Sequence, residues 1–121
     1  MATLDHSELT RRLERALDVA GNTHTADDIM DAVSEGRMQA WVRGDSLVVS
    51  EIMTFPRASA VNIVLAVGLL DDVMSLQPQI EAFGREHGCK VMRMEGRKGW
   101  ARVLPAHGWK PDNKVIFERA L

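Results

Sequence analysis

The first part of the chain carries apolar residues at the spacing of helices. Leu9, Leu13 and Leu17 recur at four-residue steps, which places them on one face and predicts a helix over Ser7–Ala20. A second apolar stripe predicts another helix over Thr25–Gly36. The threonine can cap its N-terminus, with an aspartate three residues later, and the glycine ends it.

The period then changes to that of β-strands. Apolar and polar residues alternate over Met38–Arg43, which predicts a strand, and a Gly-Asp turn follows. A second strand is predicted over Leu47–Phe55. The segment Ala60–Val67 is nearly continuous in apolar residues, which is typical of a central strand buried on both faces. Three successive strands joined by short turns predict an antiparallel meander.

Helices and strands alternate in the remainder of the chain. The pattern predicts a helix, a strand, a helix and a strand over Ser75–His87, Lys90–Glu95, Arg97–Ala106 and Lys114–Leu121. The strand–helix–strand order implies a right-handed parallel crossover. The predicted class is therefore α/β (α+β), with a mixed central sheet of about five strands flanked by four helices.

The length and composition predict one domain. With 121 residues there is room for one core, so we expect residues 1–24 to form an N-terminal helix and linker and residues 25–121 the sheet-and-helix body. The net charge of −2 provides no basic field, so a nucleic-acid partner is not expected. The lone Cys89 excludes an internal disulfide and fits a reducing compartment.

Metal and membrane binding are not expected either. The four histidines have no ligand spacing and no paired cysteines, so we expect no metal site. The first 20 residues are rich in charge, and the longest apolar run, Ile63–Leu70, is too short to span a bilayer. We therefore expect a protein that is neither secreted nor transmembrane.

Two segments in the second half resemble a known family. The stretch Ala82–Cys89 resembles the helix end that GNAT N-acetyltransferases place before their fifth strand. The stretch Glu95–Pro105, followed by Gly108-Trp109, is similar to short GNAT-like proteins of bacteriophages and prophages. The order of elements over residues 26–121 is also that of the GNAT fold, which usually has one more strand before the first helix and another at the end. The resemblance implies a GNAT-like fold and a location in the host-cell cytoplasm or the virion.

The resemblance also implies where a cofactor would bind. GNAT enzymes hold the pyrophosphate of acetyl-CoA on backbone amides of a glycine-rich loop, which corresponds here to residues 68–75. The implied contacts are Val67, Gly68, Leu69, Leu70 and Ser75. This loop has a single glycine and no arginine, and the carboxylates of Asp71 and Asp72 repel a pyrophosphate. Because such residues suit a helix N-terminus, no cofactor is expected, and acetyl-CoA only if the chain is an enzyme.

Three residues are candidates for acid–base chemistry. GNAT enzymes often use a strand glutamate as base and a tyrosine as acid, and this sequence contains no tyrosine. Glu51 is the candidate base, or alternatively an edge charge that faces outward. Cys89 is a candidate acid or nucleophile, or a small core residue. His107 is a candidate proton donor, or a solvated loop histidine.

A basic cluster is the candidate site for an anion or a partner. It consists of Arg93, Arg97, Lys98 and Arg102, around a Gly-Arg-Lys-Gly-Trp turn. Cations and backbone amides at the start of a helix can hold a phosphate, the 3′-phosphate of CoA, an acidic protein surface or nucleic acid, although the net charge argues against the last. The alternative is a solvated turn in which the arginines pair with Glu95 and Glu118.

Trp41 is a second candidate for partner binding. Its strand neighbours Ala40 and Val42 face the opposite side, so Trp41 is exposed or covered by a partner if they enter the core. Two functions remain open. One is a degenerate acetyltransferase that binds proteins of a virion or host, with a homo-oligomer among the options. The other is a CoA-dependent N-acetyltransferase acting on an amine.

Overall fold

Two helices, three antiparallel strands and a helix–strand–helix segment follow one another along the chain. The computed structural model describes residues 6–19, 24–95, 100–112 and 114–121. The elements are α1 (His6–Val19), α2 (Ala26–Ser34), β1 (Met38–Arg43), β2 (Ser46–Phe55), β3 (Ala58–Val67), α3 (Leu70–Ser75), α4 (Gln77–Glu86), β4 (Val91–Met94), α5 (Trp100–Val103) and a 3-10 turn (Leu104–His107).

The strands form one mixed sheet in the order β1-β2-β3-β4. The pairs β1–β2 and β2–β3 are antiparallel, and β4 lies parallel to β3. This arrangement confirms the predicted meander, the parallel crossover and the α/β class. Within the described residues the sheet has four strands where about five were predicted.

Each face of the sheet carries its own apolar core. On one face, α1 and α2 pack against the strands through residues such as Leu13, Ile29 and Leu47. On the other face, α3 and α4 pack through residues such as Val73 and Ile80. Successive residues of β2 enter alternate cores, because side chains of a strand point to opposite faces. Each fully buried aliphatic side chain contributes about 1.5–3 kcal/mol to folding.

The start of α2 agrees with the prediction. The hydroxyl of Thr25 accepts a hydrogen bond from the Asp28 amide at 3.1 Å, and the Asp28 carboxylate accepts one from the Thr25 amide at 2.8 Å. The second bond, with the backbone of Thr25, is the main reason why the pKa of Asp28 lies below its ordinary value.

The single helix predicted over residues 75–87 is two helices. The chain forms α3 and α4 with a break at Leu76, and α3 begins five residues before the predicted start. The reason is Pro78, which lacks an N–H and whose ring clashes with the carbonyl four residues earlier, so one helix cannot run through it. The loop expected over residues 68–75 is therefore mostly helix.

The last two predicted elements are also different. The helix predicted over residues 97–106 is short where it is described. α5 ends at Val103, and a 3-10 turn that contains Pro105 follows from Leu104. The strand predicted over residues 114–121 is absent: these described residues have no regular structure, and Val115 and Phe117 are 69% and 89% exposed. A strand needs a neighbouring edge to pair with, and this segment has not reached one within the chain.

The packing of α4 on β3 generates a prediction about Gly84. A methyl group at this buried position would lie 2.7 Å from Cγ2 of Val61, a stiff β-branched side chain. Alanine normally stabilises a helix interior by about 1 kcal/mol relative to glycine. We expect Gly84→Ala to destabilise the protein instead, by about 1 kcal/mol in urea unfolding, because overpacking costs about 1–3 kcal/mol.

The matched control is Ala82→Gly, at an exposed position of the same helix. It reports the helix propensity alone and should cost about 1 kcal/mol. A Gly84→Ala protein that is more stable than the unmodified chain would show that α4 can move away from β3.

Candidate functional site

β3 continues beyond the end of β4, and we call the edge of β3 that no described strand covers there the cleft. The two strands pair only from Ala60 opposite Val91 to Ile63 opposite Met94, whereas β3 continues to Val67 beside β2. The next residue, Val64, is an extra residue in the register between β2 and β3. Val64 and the residue after it both pack on the α1–α2 core, as expected of a β-bulge. A bulge bends its strand. On the side away from β2, no described strand covers residues 64–67.

The space at this cleft within the α3–α4 layer is small. A cavity of about 30 Å³ lies there, and the side chains around it include Ile63, Ala66, Met94 and Trp100. A water molecule needs roughly 10–15 Å³ of such volume, so the cavity holds no more than a few atoms.

A glycine forms the turn that leaves the cleft. Gly68 has a φ of 120°, a conformation that side chains with a Cβ rarely adopt. A methyl group at this position would lie 2.6 Å from the Cα of Ser46. The turn between β3 and α3 is therefore pressed directly against the first residue of β2.

The hydroxyl of Ser46 is the hydrogen-bond acceptor for the backbone N–H of Leu69 in this turn. It accepts a hydrogen bond from the Leu69 amide at 3.0 Å and donates one to the Asp72 carboxylate at 3.2 Å. Ser46 has no solvent exposure. Asp71 and Asp72 both lie in the first turn of α3, where negative charge opposes the positive end of the helix dipole. The chain thus supplies its own acceptor and its own anions at the place where the GNAT resemblance implies a pyrophosphate and where the sequence analysis expected no cofactor.

The predicted cofactor contacts divide into two groups. Val67 ends β3, and Gly68, Leu69 and Leu70 follow it at the open end of the cleft. The two leucines are 70% and 38% exposed. Ser75 ends α3, and its hydroxyl donates to the carbonyl of Asp72 at 2.6 Å, so it is engaged within the helix. The structure brings the first four candidates together and places Ser75 at the opposite end of α3.

A row of polar side chains crosses the sheet beside the cleft. Glu51 of β2 is opposite Asn62 of β3, which is opposite Arg93 of β4. The Asn62 side-chain amide donates to the Glu51 carboxylate at 3.2 Å. The Arg93 guanidinium lies 4.0 Å from the Glu95 carboxylate and 3.9 Å from the sulfur of Met53. The row therefore aligns a carboxylate on β2, an amide on β3 and a guanidinium on β4. Asn62 was missed by the sequence analysis, because only the strand register reveals its neighbours.

The other two acid–base candidates lie together at a different place. Cys89 and His107 line a groove of about 430 Å³ between α4, the start of β4 and residues 107–110, which we call the outer groove. Its wall is fixed by Gln77, whose side-chain amide donates to the His107 carbonyl at 3.2 Å and accepts from the Trp109 indole at 3.0 Å. Glu51 is not among the lining residues. The structure therefore joins Cys89 with His107 and separates both from the polar row.

Trp41 is covered by the chain itself. Its indole donates to the Ser50 hydroxyl at 2.9 Å, and its ring meets that of Phe83 edge to face with centroids 5.5 Å apart. Ala40 and Val42 pack on the opposite core, as the sequence predicted. Trp41 was expected to be exposed or covered by a partner, but Phe83 of α4 covers it. The side chain is therefore half-buried and offers little surface for binding.

The basic cluster is only partly described. Arg93 belongs to the polar row and Arg102 is exposed on α5, whereas Arg97 and Lys98 lie outside the described residues. In the described ranges no three His, Cys, Asp or Glu side chains come together as metal ligands. None of the helices in the described part of the chain has the length and apolar character needed to cross a bilayer.

Solved structures with the same architecture are found, although sequence comparison finds none. A scan of protein-family models and a search of curated protein sequences give no match. A Trypanosoma brucei acetyltransferase superposes with a TM-score of 0.67 at 12% identity, over 98% of this chain and 97% of its own. An aminoglycoside N-acetyltransferase in complex with CoA superposes with a TM-score of 0.66 at 14% identity, over 97% of this chain and 91% of its own. A Staphylococcus aureus GNAT family acetyltransferase superposes with a TM-score of 0.60 at 12% identity, over 97% of this chain and 95% of its own.

The chain has the GNAT acetyltransferase fold. At these identities the likeness shows the fold alone, and it agrees with the resemblance seen in the sequence. In the described part of the chain β3 extends beyond β4, and the turn that follows β3 is hydrogen-bonded to Ser46.

The close approach of Gly68 to Ser46 generates a second prediction. We expect Gly68→Ala to cost about 3 kcal/mol of unfolding free energy, because it combines an unfavourable positive φ with overlap against the backbone of β2. Gly88→Ala is the matched control, since Gly88 has a φ of 75° and nothing within 4 Å of the added methyl group. It should cost only about 1 kcal/mol. Equal costs in urea unfolding would show that the turn is not held tightly against Ser46.

Proposed function

We propose that this protein is a GNAT-fold protein that acts by binding other proteins, as a component of an assembly, and does not transfer acetyl groups. The observation that carries the proposal is the hydrogen bond from the Leu69 amide to the buried Ser46 hydroxyl. A loop amide that already has an acceptor inside the chain is not available to a phosphate without breaking that bond.

The charges of the turn support the same proposal. Asp71 and Asp72 lie in the first turn of α3, and α3 contains no basic residue that could offset their charge. Two unit charges of the same sign 4 Å apart repel by about 4 kcal/mol near a protein surface. The carboxylate of Asp72 is held in place by Ser46, so it cannot simply turn away from an approaching pyrophosphate.

The surface of the turn suits a protein partner better than a nucleotide. Leu69 and Leu70 are exposed apolar residues at the open end of the cleft. Leucine side chains gain free energy when a partner removes them from water, whereas they give nothing to a phosphate. The resemblance of residues 82–109 to short proteins of bacteriophages supports a partner from a virion or its host.

Titration with acetyl-CoA tests the proposal. We expect no saturable heat in calorimetry and no rise in melting temperature at about 1 mM acetyl-CoA, since a ligand at 100 times its Kd would add about 2.7 kcal/mol of stability. The CoA-binding aminoglycoside acetyltransferase, measured in the same buffer, is the positive control. Saturable binding with a Kd below about 0.1 mM would overturn the proposal.

A CoA-dependent N-acetyltransferase acting on an amine is the second candidate, favoured by the open cleft. The free edge along residues 64–67 can pair with an extended chain that carries amides, as added strands do. Bound acetyl-CoA would supply an acetyl thioester there. Glu51, held by Asn62, would accept the proton that the attacking amine loses.

Release of CoA thiol in the presence of a panel of amines tests this candidate. If it holds, Glu51→Gln should lower kcat about 100-fold while leaving acetyl-CoA binding unchanged. Glu86→Gln, an exposed change of the same chemistry on α4, should leave kcat unchanged. Absence of thiol release from the unmodified chain with every amine would reject the candidate.

A further inference from the structure

β1 lies at one edge of the sheet, and the backbone along its outer side has no described partner. Among the described residues β1 pairs only with β2. Both of its faces contact helices, since α2 packs on one face and Phe83 of α4 covers Trp41 on the other. The part of β1 that stays open is therefore the row of N–H and C=O groups along its edge. Such a row is a template for another strand.

The turn between β1 and β2 determines which of these groups point outward. Arg43 of β1 lies opposite Ser46 of β2 across a turn of two residues. Residues that flank so short a turn exchange hydrogen bonds with each other, and hydrogen-bonded pairs then alternate with non-bonded pairs along the strands. Counting back from Arg43, Ala40 and Val42 belong to the non-bonded pairs. Their N–H and C=O groups therefore point away from β2.

We propose that β1 of one copy pairs antiparallel with β1 of a second copy, about a two-fold axis at Trp41, so that two sheets join into one. Ala40 then lies opposite Val42 of the second copy, and the symmetry axis generates the same pair again. Because these are the residues whose backbone groups point outward, the two pairs form about four hydrogen bonds. The inference concerns self-association and does not depend on whether the protein binds acetyl-CoA.

The pairing also continues the apolar layers of the sheet. Ala40 and Val42 pack beside the α1–α2 core, and residues opposite each other across antiparallel strands share a face, so each copy extends the core of the other. Trp41, on the other face, adds only the part of its ring that Phe83 leaves exposed. A slip by one residue would set the outward groups opposite residues that already bond to β2, which excludes it.

Charge separates the remaining registers, which differ by two residues. In the proposed register Arg37 comes opposite Asp45 of the second copy at both ends of the contact, and this is a favourable pair. Shifting one strand by two residues sets Arg37 opposite Arg43 of the second copy, so that like charges meet at both ends. The opposite shift leaves only residues 41–43 of β1 in the ladder. The proposed register combines matched charges with a ladder over residues 39–43.

Arg37 and Asp45 are placed for such a contact. Both are exposed, and they flank β1, one immediately before the strand and one two residues after it. The Nε of Arg37 donates to the carboxylate of Glu35 in its own chain at 2.7 Å. A guanidinium carries five N–H donors, so this bond leaves others for the aspartate of a second copy.

The proposed interface is small and closed. Two strands of about five residues belong with the interfaces below about 1,200 Å², which form weak complexes. We therefore expect a dissociation constant on the order of 10–100 μM. Each copy has one β1 and the two-fold axis uses both, so association stops at the dimer.

Sedimentation equilibrium at about 1 mM protein tests the proposal directly. We expect a mass that approaches twice 13.5 kDa. Ala40→Pro removes an N–H that β2 does not use, so it should weaken the dimer about 100-fold while the circular dichroism of the fold is retained. A monomer of the unmodified chain at this concentration would overturn the proposal, and so would a folded Ala40→Pro protein that dimerises as strongly as the unmodified chain.

Ala40→Val is the matched control for the proline variant. Valine fills a similar space and keeps the N–H, so the dimer should persist. Loss of the dimer in both variants would show that side-chain size at this position is responsible, and it would reject pairing through the backbone edge.

Charge reversal tests the register without changing the ladder itself. Arg37→Asp alone and Asp45→Arg alone should each weaken the dimer about tenfold, because like charges then meet at both ends. The double variant should recover most of the affinity. Arg57→Asp, an exposed change between β2 and β3, is the control and should have no effect.

Two outcomes of this charge reversal contradict the proposed register. A dimer that Arg37→Asp strengthens would match the register shifted by two residues, and failure of the double variant to recover would reject the pairing of Arg37 with Asp45. Because both side chains are exposed, these variants decide the question even where Ala40→Pro prevents folding.

A disulfide between copies identifies the paired residues. In the proposed register Gln39 lies opposite Arg43 of the second copy, with Cβ atoms about 4.5–5.5 Å apart. Gln39→Cys with Arg43→Cys, in a Cys89→Ser background, should therefore give a covalent dimer under mild oxidation. Within one strand these two positions are about 13 Å apart, which is too far for a disulfide.

Arg37→Cys with Arg43→Cys is the control for this experiment, since it cross-links only in the shifted register. A cross-link from the control alone would overturn the proposed register. Absence of a cross-link from Gln39→Cys with Arg43→Cys, at a concentration where sedimentation shows the dimer, would overturn it as well. Neither result is affected by the outcome of the acetyl-CoA titration.

Discussion

The buried hydroxyl of Ser46 holds the turn from β3 into α3 against the start of β2. Gly68 allows the backbone to come close, the Leu69 amide donates a hydrogen bond to the hydroxyl, and the Asp72 carboxylate accepts a hydrogen bond from it. The position of α3 on the sheet follows from this contact, and α4 follows from α3 across the break before Pro78. The same contact decides the chemistry of the turn, because it uses the amide and the helix end that an anion would need.

Much of the fold could be predicted from the sequence because its signals are local. Periodic apolar residues and turns located α1, α2 and the three meander strands within a few residues. The prediction was wrong where a local pattern competes with a longer-range condition. Pro78 divides a helix that its apolar stripe suggested was continuous. The alternation in residues 114–121 predicts a strand, but a strand also has to pair with a sheet edge, and this segment pairs with none of the four described strands.

The candidate site was less predictable, because it depends on which residues meet across the sheet. The two aspartates after Gly68 could be recognised as unfavourable to phosphate from their charge alone. Ser46 could not be linked to them, since it is 23 residues from Leu69 in the sequence. Two other contacts likewise depend on how strands align and on how α4 packs on the sheet: Asn62 with Glu51, and Phe83 with Trp41. Arg97 and Lys98 lie outside the described residues, so the basic turn stays a prediction.

The bulge at Val64 lies beside the cleft and contributes to the core. Without Val64 the strand would alternate regularly, with Ile63 on the α3–α4 core and Leu65 on the α1–α2 core, as both are now. The bulge therefore adds a bend and one more apolar contact to β3 without changing the faces of its neighbours. The turn beside it is fixed by other residues, because Ser46, Gly68 and Asp72 hold it through one hydroxyl and one close backbone contact. The bend of β3 and the chemistry of the turn can therefore change independently of each other.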